Sequence, residues 1–274
     1  MPYAVPARPR RRRAAVVLPW LVVLAVAAVA GTRWLPAAGI DVPWIPLVPA
    51  SARDYPRPGV EEADERLAPA VVAAAPSDSY AFVATQTDDT GATVPVTWSP
   101  CRPVHVVVDP AGAPPDLVAQ VQAATAEIAA ATGLTFVDDG VVTEPADPDR
   151  RPFLPDRYGD RWAPVLVRFA SETAVPGLAD DVVGIGGPQS VVDARGRQHH
   201  VSGVVYLDVG LLRPDATGTT WPAVLRHELA HVIGLDHVDD PAQLMNPVAT
   251  VPTFQAGDLA GLAALGQGAC APGV

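Results

Sequence analysis

Apolar positions along the chain recur with two different periods, and the change of period marks out the elements. Val104–Asp109 and Val165–Ala170 are six-residue runs rich in Val, with the length and β-branched content of strands. Residues 134–137 and 201–208 read the same way. Between the first two strands, Leu117, Val121, Ala124 and Ile128 recur at helical spacing after Pro114 and Pro115, and Gly133 supplies the stop. Farther along, Leu225, Leu229, Val232 and Ile233 form one apolar face of a helix expected to start near Thr220 as N-cap, with Pro222 in its first turn. A last helix is expected over Ala256–Leu265. The segment to Ala163 and residues 174–200 are read as long loops, the second carrying Asp180, Asp181 and Asp193.

The amino-terminal third follows other rules. Residues 1–13 hold Arg8, Arg10, Arg11, Arg12 and Arg13 with no acid to offset them, and residues 14–31 are then uncharged and apolar. A run of 18 is at the lower edge of what spans a bilayer, and positive charge before it keeps the amino terminus cytoplasmic and places the remainder outside. The alternative is a signal peptide cleaved near Ala30, since Ala28-Val29-Ala30 is an A-x-A-like site. Residues 32–78 contain Pro36, Pro43, Pro46, Pro49, Pro56, Pro58, Pro69 and Pro76, too closely spaced for a regular helix or central strand, and read as a Pro-rich extracytoplasmic stalk. Its acidic cluster, Glu61, Glu62, Asp64 and Glu65, is read as solvated linker.

The helix expected to begin near Thr220 carries the chemistry. On the face roughly opposite its apolar stripe, His227 and His231 lie four residues apart and project together. A third imidazole, His237, can join them only if the chain turns back after His231, and Gly234 permits the positive φ such a turn needs. Three neutral imidazoles leave the fourth tetrahedral position of a zinc ion for water, as an open catalytic site requires. Glu228, next to the first ligand but rotated off the ligand face, stands where a general base for that water belongs. One such His is ordinarily a satisfied polar residue. Five specified positions together arise by chance in a chain this long on the order of once in a hundred thousand.

The run His227-Glu228-Leu229-Ala230-His231-Val232-Ile233-Gly234-Leu235-Asp236-His237 resembles the metzincin metalloproteases, and most of all the matrixin branch, the family of the matrix metalloproteases. The continuation to Gln243-Leu244-Met245-Asn246-Pro247 is similar to the matrixin passage from third ligand to Met-turn, which implies that Met245 lies beneath the metal. Matrixins commonly carry a small polar residue where Val238 stands, and astacin-like relatives have a Tyr where Asn246 stands, so a tyrosine ligand or oxyanion donor is not expected. Together with the element order, the resemblance implies an α/β (α+β) fold over residues 79–274, a twisted mixed sheet with three helices. Residues 201–208 would then be the sheet edge beside the cleft, able to pair with an extended peptide. The implied activity is hydrolysis of peptide bonds in extracytoplasmic proteins by a Glu-activated zinc-bound water, with one zinc per chain. The resemblance also admits calcium at Asp180, Asp181 and Asp193. His199 and His200 are read as exposed loop residues rather than a second zinc site, and His105 as structural.

Charge and cysteines narrow this further. All 19 basic residues are Arg, and beyond residue 13 there remain 14 against 30 acids, a balance that disfavours nucleic acid and other anionic partners. The membrane, through residues 14–31, and a peptide or protein substrate are the expected partners. Matrixins are often held latent by a cysteine on the zinc, but residues 32–78 contain none. In an oxidising compartment the only two, Cys101 and Cys270, are expected to pair. The rival is Cys101 as a thiolate latch. The competing function is a catalytically inactive, membrane-tethered module that holds zinc for binding or surface interaction.

Overall fold

The computed structural model describes residues 53–212, 220–248 and 250–274. Ten strands run in the order β1 (Ala81–Phe82), β2 (Thr85–Thr87), β3 (Thr93–Pro95), β4 (Thr97–Trp98), β5 (Val104–Asp109), β6 (Phe136–Val141), β7 (Val165–Ala170), β8 (Gly184–Val192), β9 (Gln198–Asp208) and β10 (Leu235–Asp236). Among the described residues four α-helices accompany them: α1 (Leu117–Thr132), the single turn α2 (Pro155–Tyr158), α3 (Trp221–Ile233) and α4 (Ala256–Leu265). Six strands form one mixed, mostly parallel sheet in the order β4-β9-β7-β5-β6, with β8 antiparallel along β9. Two short ribbons, β1 with β10 and β2 with β3, lie outside it.

The strands with Val-rich runs are central because both their faces are covered, as parallel sheets require. On one face Val106 and Val108 of β5, Val165, Val167 and Phe169 of β7 and Val205 and Leu207 of β9 meet Leu117, Val121, Ala124 and Ile128 of α1 and Leu225, Leu229, Val232 and Ile233 of α3. The alternate residues Val107, Leu166 and Tyr206 point to the other face and pack with Val175 and Leu178. That second face is also where a charged network is enclosed. The Arg150 guanidinium donates to Glu144 at 2.7 Å and to the Pro164 carbonyl at 3.0 Å, and the Glu144 amide donates to Asp109 at 2.9 Å. Buried charge persists only when paired and hydrogen-bonded, so this network ties the long loop after β6 to the sheet.

Several sequence expectations change. Residues 174–200 are not one loop: they contain a 3₁₀ turn at Pro176–Leu178 and the nine-residue strand β8. Its Gly and Pro residues hide it from any β-propensity reading. Consequently β9 is not the sheet edge, because β8 flanks it along one side while β7 and β4 flank the other. The edge beside α3 is β8. β9 starts at Gln198, earlier than the expected 201, and the strand expected at 134–137 is displaced to Phe136–Val141. The extra helix beyond the expected three is the single turn α2.

The boundary expected at residue 79 falls inside the packed body. Arg53 and Arg57 pair with Asp160 at 2.7 and 2.6 Å, the Ala63 amide donates to Cys101 at 2.8 Å, and Leu67 donates to Pro100 at 3.0 Å. Glu62, expected in solvated linker, is buried against Arg102 at 3.1 Å and accepts the Ala271 amide at 2.6 Å. Cys101 and Cys270 are joined by a disulfide, with Cα atoms 5.2 Å apart. The first precedes β5 and the second follows α4, so the bond closes a loop of 169 residues, worth about 5 kcal/mol by chain entropy. No helix among the described residues is long and apolar enough to cross a membrane. The apolar run at 14–31 and most of the stalk lie outside the described residues.

Candidate metal centre

α3 starts after Thr220, whose carbonyl accepts the Ala223 amide at 2.9 Å, and Pro222 occupies the first turn, where its missing N–H costs nothing. Burial of Leu225, Leu229, Val232 and Ile233 against the sheet fixes the roll of the helix, and that roll presents His227 and His231 on the side away from it. The Trp98 indole holds the far end by donating to the Val232 carbonyl at 2.8 Å. At Gly234 the chain leaves the helix with φ +128°, a conformation that a side chain rarely adopts. Leu235 and Asp236 then pair with Phe82 and Ala81, and the Val83 amide donates to the Gly234 carbonyl at 3.0 Å. The amino-terminal segment thereby braces the turn that delivers His237.

The three imidazoles converge. His227 Nε2 lies 3.0 Å from His237 Nε2 and 3.1 Å from His231 Nε2, and the third separation is 3.2 Å. Tautomers follow from the opposite ring nitrogens. His227 Nδ1 faces the Leu244 carbonyl at 2.8 Å and His231 Nδ1 faces the Leu235 carbonyl at 2.7 Å. A carbonyl only accepts, so both Nδ1 atoms carry the proton and both Nε2 atoms are bare lone pairs. Two lone pairs 3.1 Å apart repel, and neither can hydrogen-bond the other. Burial presses the His227 imidazole down to about 4, with the neighbouring His231 adding to the effect, and burial also lowers His231, which favours the neutral form of these two rings. This donor set can hold a metal ion.

Glu228 follows the first ligand but is directed elsewhere. It is 6 % exposed, and burial pushes its carboxyl up to about 8 against the opposing hydrogen bond from the Gly186 amide. β8 crosses it closely. A Cβ on Gly184 would come within 2.7 Å of Glu228 Oε1, and one on Gly186 within 2.2 Å of the Glu228 carbonyl oxygen.

Met245 is 1 % exposed and follows the residue whose carbonyl holds the His227 ring. Its turn is suspended from α4. Asp258 accepts the amides of Leu244 at 2.8 Å and Met245 at 3.2 Å, and Gln243 accepts the Gly257 amide at 2.8 Å. Sequence reasoning missed Asp258, Gln243, Gly184 and Gly186 as parts of this site. The spacing Gln255-x-x-Asp258 signals a helix start, and the capping box is present, but nothing local shows that the same carboxylate reaches across to residue 244.

Other candidates are placed elsewhere. His199 and His200 are not exposed: they lie inside β9, 7 % and 2 % exposed, with His199 on Asp193 at 3.2 Å and His200 on the Ser190 hydroxyl at 2.8 Å. Asp180, Asp181 and Asp193 form no metal-holding cluster among the described residues, and Asp193 instead accepts the amides of Arg195 and Arg197 in a turn. His105 is bonded to Asp139 at 2.9 Å, which fits its structural reading. Cys101 is in the disulfide and so offers no thiolate latch. No protein-family model matches this chain, and no curated protein matches it either.

Proposed function

We propose that the chain is a zinc-dependent endopeptidase of metzincin, matrixin-like type, acting on peptide bonds of extracytoplasmic proteins. The observation that carries this reading is the trio of Nε2 atoms 3.0–3.2 Å apart, two of them left bare because backbone carbonyls hold the proton on Nδ1, with Glu228 the next residue after His227. A tetrahedral zinc with bonds of about 2.0–2.1 Å spaces its nitrogen ligands by about 3.3 Å, close to the spacing here. Imidazole donors also favour zinc over calcium or magnesium. Bound there, zinc supplies Lewis acidity that lowers the pKa of a coordinated water to about 7 and polarises a carbonyl.

The chain's own residues do the rest. His227, His231 and His237 hold the metal, and the Leu244 and Leu235 carbonyls keep two of the rings turned toward it. Glu228 takes the proton from the attacking water and hands it to the leaving amine. The Gly186 amide steadies that carboxylate. β8, the strand at the sheet edge beside Glu228, offers main-chain groups to an extended peptide, so the scissile bond can be laid across the metal.

Metal content and proteolysis measured together test this. Glu228→Gln should keep about one zinc per chain and lose roughly 10²- to 10⁴-fold in peptide hydrolysis, the usual worth of a general base. His231→Ala should lose both. Equal metal loss in the two variants would make Glu228 a ligand or support. Full zinc occupancy with no cleavage by the wild-type chain would favour a zinc-holding binding module. Sequencing the amino terminus of the mature protein separates an anchored enzyme from one released by cleavage near Ala30.

A further inference from the structure

β8 is an unusual edge for a peptide to pair with, because its middle is Gly186-Gly187-Pro188. Three observations show which way its main-chain groups point. The Asp208 amide donates to the Val183 carbonyl at 2.9 Å, and the Gly187 carbonyl oxygen lies 2.9 Å from where a Cβ on Gly203 would stand, so odd-numbered positions face β9. Glu228 Oε1 lies 2.7 Å from where a Cβ on Gly184 would stand, which sets its carboxylate beside the Gly186 amide on the open side. In an extended strand the N–H and C=O of one residue share a side and alternate with the next. Gly184, Gly186 and Pro188 therefore present their main-chain groups outward. This orientation also explains how a proline sits in the strand: opposite Gly203 it has no ladder bond to lose.

Among the described residues β8 pairs with β9 alone, so the outward groups are free apart from the Gly186 amide. The carbonyls of Gly184, Gly186 and Pro188 all accept. Only Gly184 retains a donor to offer, because the Gly186 amide serves Glu228 and Pro188 has no N–H. After residue 189 the register with β9 shifts, which breaks the run.

We infer that Pro188 is a specificity-determining residue that makes substrate pairing one-sided. An extended peptide pairs both ways with β8 at Gly184, beside the metal, and only as a donor at Gly186, whose amide serves Glu228, and at Pro188, which has none. The substrate carbonyl opposite Pro188 goes without a main-chain partner. Residues on that flank of the scissile bond contribute little to recognition, and selection falls on the other flank. This rests on the peptidase reading only in its choice of an extended peptide as occupant.

The test is binding to the zinc-loaded wild-type chain, Pro188→Ala and Gly187→Ala, read with two series of synthetic alanine-rich peptides. One series carries a metal-binding hydroxamate at its carboxyl end and the other at its amino end, each with one or four residues, so the anchor at the metal fixes which flank is extended. In one series, Pro188→Ala should raise the affinity gained from the three added residues by about 2- to 10-fold, the worth of one restored hydrogen bond. Gly187→Ala, whose amide faces β9 and whose Cβ meets nothing within 4 Å, should change neither series. No response to Pro188→Ala in either series, or an equal gain in Gly187→Ala, would overturn the inference. Hydrolysis of unmodified peptides is scored separately. A ladder response without hydrolysis would remove the peptidase reading and leave the one-sided groove standing.

Discussion

His227 donates its Nδ1 proton to the Leu244 carbonyl at 2.8 Å, which turns the bare Nε2 toward His231 and His237. Two bare Nε2 lone pairs, of His227 and His231, are held 3.1 Å apart, which costs folding energy unless a cation lies between them. Metal binding should relieve that cost and add mass-action stabilisation, about 4 kcal/mol when free metal exceeds Kd a thousandfold. Thermal melts with and without a chelator check this. The chelator should lower Tm clearly in the wild-type chain and hardly at all in His231→Ala, and an unchanged wild-type Tm would count against a metal centre.

Adjacent glycines on β8 should behave oppositely. A Cβ at Gly186 would stand 2.2 Å from the Glu228 carbonyl oxygen, which is helix backbone and cannot swing aside, whereas one at Gly187 meets nothing within 4 Å. Gly186→Ala should cost about 1–3 kcal/mol or more by overpacking β8 against α3, and Gly187→Ala should stay within about 0.5 kcal/mol. Denaturant midpoints decide it. Similar values for both variants would mean that β8 and α3 are not in this close contact.

Reduction should be costly. The Cys101–Cys270 bond closes 169 residues and ties the segment before β5 to the chain after α4. Replacing both cysteines with serine should lower stability by about 2–5 kcal/mol. Thiol titration of the unfolded, unreduced protein should find no free thiol. Two free thiols, with activity rising on alkylation of Cys101, would revive the latch.

His200 should make the fold acid-sensitive. Burial, with neighbouring His199 adding to it, presses its imidazole from 6.5 down to about 4, so the folded state keeps it neutral while the unfolded chain protonates it. Its Nδ1 sits on the Ser190 hydroxyl, and among the described residues no carboxylate is paired with it. Stability should be level above pH 6.5 and fall as pH drops toward 4, by up to about 3 kcal/mol for this group. Urea midpoints of chelator-treated protein at pH 7 and pH 5 measure the slope. His200→Gln should make it shallower, leaving the part that the buried His227 and His231 contribute, and an identical slope would exclude His200 as a source.

Much of this was readable in one dimension because the governing interactions are local. A period of 3.6 or 2 is a property of neighbours in sequence, so α1, α3, α4, β5 and β7 follow from the spacing of Leu, Val and Ile. The grouping of His227 and His231 follows from helical pitch, and the need for a turn at Gly234 follows from the position of His237. β8 was not readable: Gly184, Gly186, Gly187 and Pro188 have poor strand propensity, yet Glu228 and Val224 leave no room for a side chain at Gly184 or Gly186, and the proline nitrogen looks outward. The burial of Glu62 and His200, the brace from Val83 to Gly234 and the reach of Asp258 to Met245 likewise join residues far apart in sequence. Such contacts depend on where whole elements dock, and chain pattern alone carries no record of that. The sequence by itself determined which side chains can hold a metal. Tertiary packing decided how their rings are turned, which strand forms the edge beside them and where that edge lacks a donor.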